Sequence, residues 1–207
     1  MNALLIIDVQ NDFIPGGSLS VPGGDEIVPI INGLMNRFEL VVATQDWHPK
    51  NHMSFASNHT GKKPFEPIVH QGLDQTLWPD HCVQETSGAD LHPALRKGPI
   101  ETLIRKGIDP DIDSYSGFYD NGHKKSTGLT GYLKEKGSPT LYCCGLAADV
   151  CVYFTIKDAL NEGFQVKLIT DATRALDKEK FAEMEKELMG LGMESVVSSA
   201  LKYLGKY

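Results

Sequence analysis

The segment Ala3-Leu4-Leu5-Ile6-Ile7-Asp8-Val9 is a nearly continuous apolar run that ends beside a carboxylate. A strand that is buried on both faces has this composition, because helices cover both sides of a parallel sheet. Similar runs give five further strand candidates: Leu40 to Thr44, Glu101 to Ile104, Thr140 to Gly145, Val166 to Thr170 and Ser195 to Ser198. The chain is therefore predicted to form a mainly parallel sheet.

Helical patterns lie between the strand candidates. They cover Asp25 to Arg37, Thr127 to Lys136, Val150 to Glu162 and Lys178 to Leu191. Three glycines stand where helices commonly end, namely Gly137, Gly163 and Gly192. The alternation of strand and helix predicts an α/β fold with an open, doubly wound sheet and helices on both faces. We expect one domain over residues 1–207, since no linker divides the chain.

The composition excludes several classes of protein. The formal net charge is −7, whereas binding to a phosphate backbone needs a basic face, so no nucleic-acid partner is expected. No apolar run reaches 18 residues, and the N-terminus lacks a basic region before its short apolar stretch, so neither a membrane span nor a signal peptide is expected. We predict a cytoplasmic protein, with homo-oligomer formation left open. The four cysteines form no paired motif and are expected to be free thiols.

The segment from Trp47 to Gly98 does not follow this alternation of strands and helices. It is rich in His, Pro, Gly and Asn and has little periodicity. A long irregular segment within a compact domain is usually functional. Its histidines make it a candidate for a binding site.

Three reactive side chains are predicted to meet at one edge of the sheet. Open α/β sheets place their sites at the carboxyl ends of strands, where Asp8, Lys106 and Cys151 stand after three different strand candidates. Cys151 also begins a predicted helix, whose partial positive charge and free N–H groups favour a thiolate and an oxyanion. Asp8 could act as a general base, and an adjacent Lys106 would lower the pKa of the thiol.

Each of these residues also has an ordinary interpretation. A single cysteine in a helix is more often a buried apolar group, a single lysine is usually solvated, and an aspartate after a strand often begins a turn. The functional interpretation therefore depends on their convergence.

The histidine-rich segment offers ligands for a metal ion. Asp46 and His48 are two residues apart in an extended segment, so their side chains point the same way, and His52 and His81 follow. One carboxylate with two or three imidazoles suits Zn²⁺, Fe²⁺ or Mn²⁺. The alternative is a polar loop with exposed histidines. Two aromatic residues near these motifs, Phe13 and Trp78, could enclose a flat ring or simply pack against the core.

Taken together, these motifs resemble the nicotinamidase branch of the isochorismatase-like cysteine hydrolases. The resemblance rests on Leu5-Ile6-Ile7-Asp8-Val9-Gln10-Asn11-Asp12-Phe13, Thr44-Gln45-Asp46-Trp47-His48-Pro49, Asn51-His52-Met53-Ser54-Phe55, Leu77-Trp78-Pro79-Asp80-His81-Cys82, Arg105-Lys106-Gly107, Tyr115-Ser116-Gly117-Phe118 and Cys144-Gly145-Leu146-Ala147-Ala148-Asp149-Val150-Cys151. It extends from about Ala3 to Asp171, and several motifs occur in the family's order.

The resemblance implies an amidase that converts nicotinamide to nicotinate and ammonia in NAD salvage and also deamidates pyrazinamide. It implies roles for ten residues: Asp8, Lys106 and Cys151 as the catalytic triad, Asp46, His48 and His81 as ligands of one divalent metal, the N–H groups of Ala148 and Cys151 as the oxyanion hole, and Phe13, Trp78 and Tyr115 as the walls around the substrate ring. Zn²⁺ is the expected ion, with Fe²⁺ or Mn²⁺ as alternatives, and the ring nitrogen would bind it. His52 is left as a fourth ligand that only some relatives use, and a cis peptide bond is expected at Ala147-Ala148.

The chain departs from the family pattern in three places. It has Ala148 where the family often has Thr, and Val150 where an aromatic residue is common. The segment from Ser57 to Gln75 is longer than in compact relatives and is expected to modify a lid or a subunit contact.

Four rival functions make different demands on the sequence. A metal-free cysteine amidase acting on an N-carbamoyl or other non-aromatic amide would not need Asp46, His48 and His81. An isochorismatase, which cleaves a vinyl ether, would lack the thiol of Cys151. A binding module that has kept only the fold would have lost site residues. A metal-storage or redox module would need a richer cluster of cysteine or histidine.

Overall fold

The computed structural model describes residues 1–137 and 139–201, and its centre is a six-stranded sheet. The strands, in chain order, are β1 (Asn2–Ile7), β2 (Leu40–Asp46), β5 (Thr102–Lys106), β6 (Thr140–Gly145), β7 (Val166–Thr173) and β8 (Glu194–Val196), while β3 (Pro67–His70) and β4 (Leu73–Thr76) form a separate antiparallel hairpin. All neighbours in the main sheet are parallel, in the order β5-β2-β1-β6-β7-β8. The predicted fold class is confirmed.

The two faces of the sheet are covered by different helices. Leu4 and Ile6 of β1 belong to the core on the side of α1 (Ile27–Leu34). Leu5 and Ile7 point to the opposite core, which contains buried residues of α2 (Leu129–Glu135), α3 (Tyr153–Asn161) and α4 (Lys178–Gly190). Alternate side chains of β1 are buried on both sides, which explains the uninterrupted apolar run in its sequence.

Several element boundaries differ from the prediction. β2 and β5 each continue two residues further than predicted, to Asp46 and Lys106, because these two residues still pair with each other in the parallel register. α3 begins only at Tyr153, since a π-helical turn over Ala148–Val152 precedes it. Gly137, Gly163 and Gly192 all have positive φ angles, as expected for residues that end helices.

The segment from Trp47 to Gly98 is mainly irregular, but the prediction missed its hairpin. The β3 and β4 strands are only four residues long, and three of their residues are exposed, so no apolar alternation marks them in the sequence. Residues 202–207 of the predicted domain lie outside the described residues. Within the described ranges, no helix combines the length and apolar character that crossing a bilayer requires.

The chain order of the strands reverses between β1 and β6. From β1 the chain continues outward to β2 and β5, and it then returns to β6 on the other side of β1. Ligands bind to open α/β sheets at this kind of switch point, beyond the carboxyl ends of the two central strands. Asp8 follows β1 and Cys151 follows β6, so both lie at the switch point.

Candidate active site

The structure brings Asp8, Lys106 and Cys151 together in a buried cluster. Lys106 Nζ lies 3.0 Å from Asp8 Oδ2 and 3.5 Å from Cys151 Sγ. Lys106 Nζ also donates to Asp46 Oδ1 at 2.5 Å and to the Ser114 carbonyl at 2.9 Å. One ammonium group therefore contacts the carboxylate and the thiol of the predicted triad together with a predicted metal ligand.

Burial and paired charges have opposing effects on the pKa values in this cluster. Burial raises the pKa of the Cys151 thiol well above its usual value, although Lys106 acts to lower it. Burial also raises the pKa of Asp8, against the opposing charge of Lys106. For Asp46, burial acts in the same direction, but the charges of Lys106 and His48 hold the pKa of the carboxyl well below its usual range. The raised pKa favours a protonated thiol in the resting site, and a carboxylate oxygen of Asp8 lies within 4.8 Å of the sulfur, where it is a candidate to receive the proton.

Thr44 fixes the position of Asp8. Its hydroxyl donates to Asp8 Oδ1 at 2.6 Å and accepts a hydrogen bond from the Asp8 N–H at 3.3 Å. Asp8 itself has a φ of 48°, an unusual conformation for a residue other than glycine. The remaining oxygen, Oδ2, is paired with Lys106 as an ion pair but has no hydrogen-bond geometry with any described group. That oxygen is the one available for proton transfer.

Gln10 holds Asp46 in place through its backbone. Its side-chain amide accepts from the Asp46 N–H and donates to the Asp46 carbonyl, both at 2.8 Å, and it donates to the Ala89 carbonyl at 2.8 Å. Gln10 has no exposed surface. It connects the loop after β1 to the end of β2 and to the histidine-rich segment.

We expect a Gln10→Leu variant to lose about 2–3 kcal/mol of unfolding free energy, because the buried backbone N–H and carbonyl of Asp46 lose their hydrogen bonds to the Gln10 amide. Urea denaturation measures the loss. The matched control is Asn11→Ala, because Asn11 makes an exposed hydrogen bond to the Ser87 carbonyl. Equal stability of the two variants would contradict the role assigned to Gln10.

Asp46, His48 and His81 form a group suited to a metal ion. One ligand atom from each lies within 4.8 Å of the other two. The Nε2 atoms of His48 and His81 lie 3.4 and 3.8 Å from Asp46 Oδ2. Each ring bonds a backbone oxygen through Nδ1, with His48 to the Gly107 carbonyl at 2.9 Å and His81 to the Pro79 carbonyl at 2.8 Å. Such bonds fix the tautomer and aim Nε2 at a metal, so the donor set fits a divalent ion.

Gly107 is required beside this metal group. A Cβ atom at this position would lie 2.3 Å from the Cε1 atom of His48, and the φ of Gly107 is +65°. Both the close approach and the backbone conformation exclude other residues. The glycine of the Arg105-Lys106-Gly107 motif therefore leaves room for the imidazole.

His52 lies next to this group and has an unsatisfied ring nitrogen. Its ring centroid is 4.2 Å from that of His48, and its Nδ1 is 2.7 Å from the Ser54 hydroxyl. The buried Nε2 has no hydrogen-bond partner among the described groups. A ligand atom of Asp113 also lies within 4.8 Å of those of His48 and His52. His52 thus remains a candidate fourth ligand, and Asp113 is an additional acidic group that the sequence did not single out.

The two histidines with lowered pKa values should make the metal-free protein sensitive to acid. Burial, together with the nearby His48, lowers the pKa of both His52 and His81 to about 4, whereas an unfolded histidine titrates near 6.5. For His48, burial acts to lower the pKa, but Asp46 raises it overall. The predicted acid sensitivity therefore comes from His52 and His81.

The unfolded chain therefore binds more protons than the folded chain between pH 6.5 and 4, and the unfolding free energy should fall as the pH is lowered through this range. Urea titrations of metal-free protein at several pH values measure the slope. In a His81→Asn variant, which lacks one of these two imidazoles, the unfolding free energy should fall less steeply as the pH is lowered. A free energy of unfolding that stays constant across the range would refute the prediction.

The three predicted substrate-contacting residues line one cavity with the nucleophile. This cavity has about 340 Å³ of empty space, and its walls include Phe13, Trp78, Tyr115 and Cys151. Asp46, His81 and Asp113 also line it, so the nucleophile candidate and two of the three predicted metal ligands open onto the same space. Aromatic walls beside a thiol are suited to a flat ring that carries a carbonyl group.

Two predictions about the nucleophile turn are wrong by one residue. The cis peptide bond joins Leu146 and Ala147, not Ala147 and Ala148. The Ala148 N–H donates to the Arg174 carbonyl at 2.7 Å, so it is not available to an oxyanion. Ala147, unlike Ala148, lines the cavity together with Cys151. Ala147 therefore replaces Ala148 as the candidate that would form an oxyanion hole with Cys151.

Comparisons with known proteins identify the family of this chain. Residues 2–200 match the Isochorismatase domain, and the chain belongs to the isochorismatase family. It is similar to a nicotinamidase of Acinetobacter baylyi, with 48% identity over 197 residues that cover 95% of this chain and 92% of the relative.

Two solved structures are also similar to the chain. A nicotinamidase/pyrazinamidase of Acinetobacter baumanii has 46% identity and a TM-score of 0.94, with 97% of this chain and 98% of that one covered. A pyrazinamidase of Pyrococcus horikoshii in complex with zinc has 36% identity and a TM-score of 0.78, with 95% and 98% covered.

Proposed function

We propose that this protein is a metal-dependent nicotinamidase, a cysteine amidohydrolase that converts nicotinamide to nicotinate and ammonia. The observation that carries the proposal is the single cavity in which the Cys151 thiol, two aromatic walls and the Asp46 and His81 metal ligands face one another. The similarity to nicotinamidases over nearly the whole chain supports the same reaction.

The proposed mechanism begins with proton transfer within the buried cluster. Asp8 accepts the Cys151 proton while Lys106 stabilises the resulting charges. The sulfur attacks the carboxamide carbon, and the oxyanion receives hydrogen bonds from the N–H groups of Ala147 and Cys151. Asp8 then gives its proton to the departing nitrogen, and ammonia leaves a thioester on Cys151. Water hydrolyses the thioester with Asp8 as the base, which releases nicotinate and restores the thiol.

Asp46, His48 and His81 would hold the metal, with His52 as a candidate fourth ligand. A divalent ion bound there supplies a Lewis acid that can take the pyridine nitrogen as a ligand and so orient the ring. The zinc complex of the Pyrococcus horikoshii relative supports Zn²⁺, while the ligand types also suit Fe²⁺ and Mn²⁺. The proposed substrate contacts are Phe13, Trp78 and Tyr115.

Ammonia release from nicotinamide, measured on purified protein before and after metal removal, tests this function. We expect turnover of the metal-replete protein, its loss after chelation and its recovery when Zn²⁺ or another divalent ion is returned. A metal-free amidase would keep its activity after chelation and would prefer non-aromatic amides, so the same assay separates the nearest rival. Absence of turnover under all metal conditions would reject the proposal.

A second substrate follows from the same cavity. Pyrazinamide has the same ring size and carboxamide as nicotinamide, and two solved relatives are named as pyrazinamidases. We therefore propose that the protein also deamidates pyrazinamide. Three expectations stay predictions from the sequence: a role in NAD salvage, a cytoplasmic location and the formation of a homo-oligomer.

A further inference from the structure

The β3–β4 hairpin contributes one buried polar side chain to the surroundings of the substrate cavity. Gln75 on β4 is only 6% exposed, whereas the hairpin residue Val69 is 71% exposed. The hairpin lies outside the main sheet, and Gln75 is the last residue of the Ser57 to Gln75 segment, which the sequence predicts to be an insertion. The sequence predicted a lid or a subunit contact for this segment, but Gln75 points into the molecule.

Gln75 connects two residues that line the cavity. Its Nε2 donates to the Tyr115 hydroxyl at 3.0 Å, to Asp113 Oδ2 at 2.9 Å and to the Thr76 carbonyl at 2.7 Å. The Tyr115 hydroxyl also accepts from Trp78 Nε1 at 3.3 Å. Gln75 itself does not line the cavity, so it can affect the substrate only through the residues that it holds.

Tyr115 separates the substrate cavity from a second cavity. The second cavity has about 470 Å³ of empty space and includes Tyr115, Phe154, Asp120 and Asp158 in its wall. The Tyr115 ring contacts Phe154 on that side, with centroids 5.3 Å apart, and Trp78 on the other, with centroids 6.2 Å apart. A movement of this ring would join the two spaces and widen the substrate cavity.

We propose that Gln75 is a specificity-determining positioning residue. It holds Tyr115 in place between the two cavities and so limits the width of the ring that the enzyme accepts. This inference rests on the proposed nicotinamidase function. Without the Gln75 donor, the hydroxyl of Tyr115 loses its 3.0 Å bond and keeps the longer bond to the Trp78 indole, so the ring is held less firmly against rotamers directed at the second cavity.

The test compares nicotinamide with quinoline-3-carboxamide, which carries the same amide on a wider, bicyclic ring. A Gln75→Leu variant keeps a similar volume but cannot donate hydrogen bonds. We expect its KM for nicotinamide to rise about 10-fold with kcat changed by less than about 3-fold. The ratio of kcat/KM for the bicyclic amide to kcat/KM for nicotinamide should rise by about 10-fold or more.

Two further variants show whether the effect passes through Tyr115. Tyr115→Phe removes the hydroxyl that Gln75 holds and should relax selectivity in the same direction. If Gln75 acts through that hydroxyl, adding Gln75→Leu to Tyr115→Phe should change KM by less than about 2-fold. The Tyr115→Phe result stands by itself if Gln75→Leu does not fold. Val69→Thr is the matched control in the hairpin and should leave both substrates unaffected.

The outcomes separate this inference from the function on which it rests. Absence of ammonia release by the wild-type protein would reject both. Activity on nicotinamide with an unchanged selectivity ratio in Gln75→Leu and Tyr115→Phe would reject the role of Gln75 alone. Fully additive effects in the double variant would also reject it, because they would show that the two residues act independently.

Discussion

A Cys151→Ala variant is expected to lose at least about 10³-fold in kcat for nicotinamide and to remain folded. The thiol is the only nucleophile proposed for the amide carbon, so without it the thioester cannot form. Ammonia release measures the loss, and calorimetric titration should show that the variant still binds nicotinamide, because the aromatic walls and the metal ligands are intact.

Cys143→Ala is the matched control for this loss. Cys143 is a fully buried thiol on β6 that belongs to the apolar core and does not line the cavity. Its replacement should reduce stability modestly and leave kcat within about 3-fold of the wild type. Equal activity of the Cys151 and Cys143 variants would remove Cys151 from the mechanism.

A His81→Ala variant is expected to lose the bound metal and at least about 100-fold in kcat/KM. Two ligands then remain from the group of three, and His81 also lies in the cavity wall. Elemental analysis after dialysis should find close to one divalent ion per wild-type chain and a small fraction of that in the variant. This measurement is independent of activity.

His92→Ala serves as the control for removal of an imidazole. His92 lies outside the cavity, and its Nδ1 accepts a hydrogen bond from the Ala94 N–H. We expect full metal content and normal turnover in this variant. A His81→Ala protein that keeps its metal would show that the ion is held elsewhere and would refute the ligand assignment.

The sequence was most informative where a single rule determined the structure. The continuous apolar run of β1 indicated a strand buried on both faces, and the rule that sites lie at carboxyl ends of parallel strands placed Asp8, Lys106 and Cys151 together. The alternation of side chains along an extended segment placed Asp46 and His48 on one side. In the structure, the Nε2 of His48 indeed lies 3.4 Å from Asp46 Oδ2.

The groups that hold these residues in place were not predictable in the same way. Thr44 bonds Asp8 across 36 positions of sequence, and Gln10 reaches Ala89 across 79. Such pairs depend on how strands and loops are packed, and neither hydrophobic periodicity nor local spacing records them. Gln10 did stand within the quoted motif after β1, but its residue type alone gives no indication that its amide bonds to backbone groups.

The errors in the nucleophile turn have a similar cause. A difference of one residue between Ala147 and Ala148 leaves the composition of the turn unchanged, yet only Ala147 lines the cavity, and the N–H of Ala148 is bonded elsewhere. The contact that decides it is the bond from the Ala148 N–H to the Arg174 carbonyl, which lies 26 residues away in the chain. Only the three-dimensional structure records that contact.

The position of Lys106 limits what its own replacement could reveal. Because this one ammonium is the counter-ion of both Asp8 and Asp46, its removal would disturb proton transfer and metal retention together. An inactive Lys106 variant would therefore not show which of the two steps had failed, whereas the metal content of a residue 81 variant can be measured separately from its activity. Proton transfer and metal retention are thus tied to one side chain and cannot be varied independently through it.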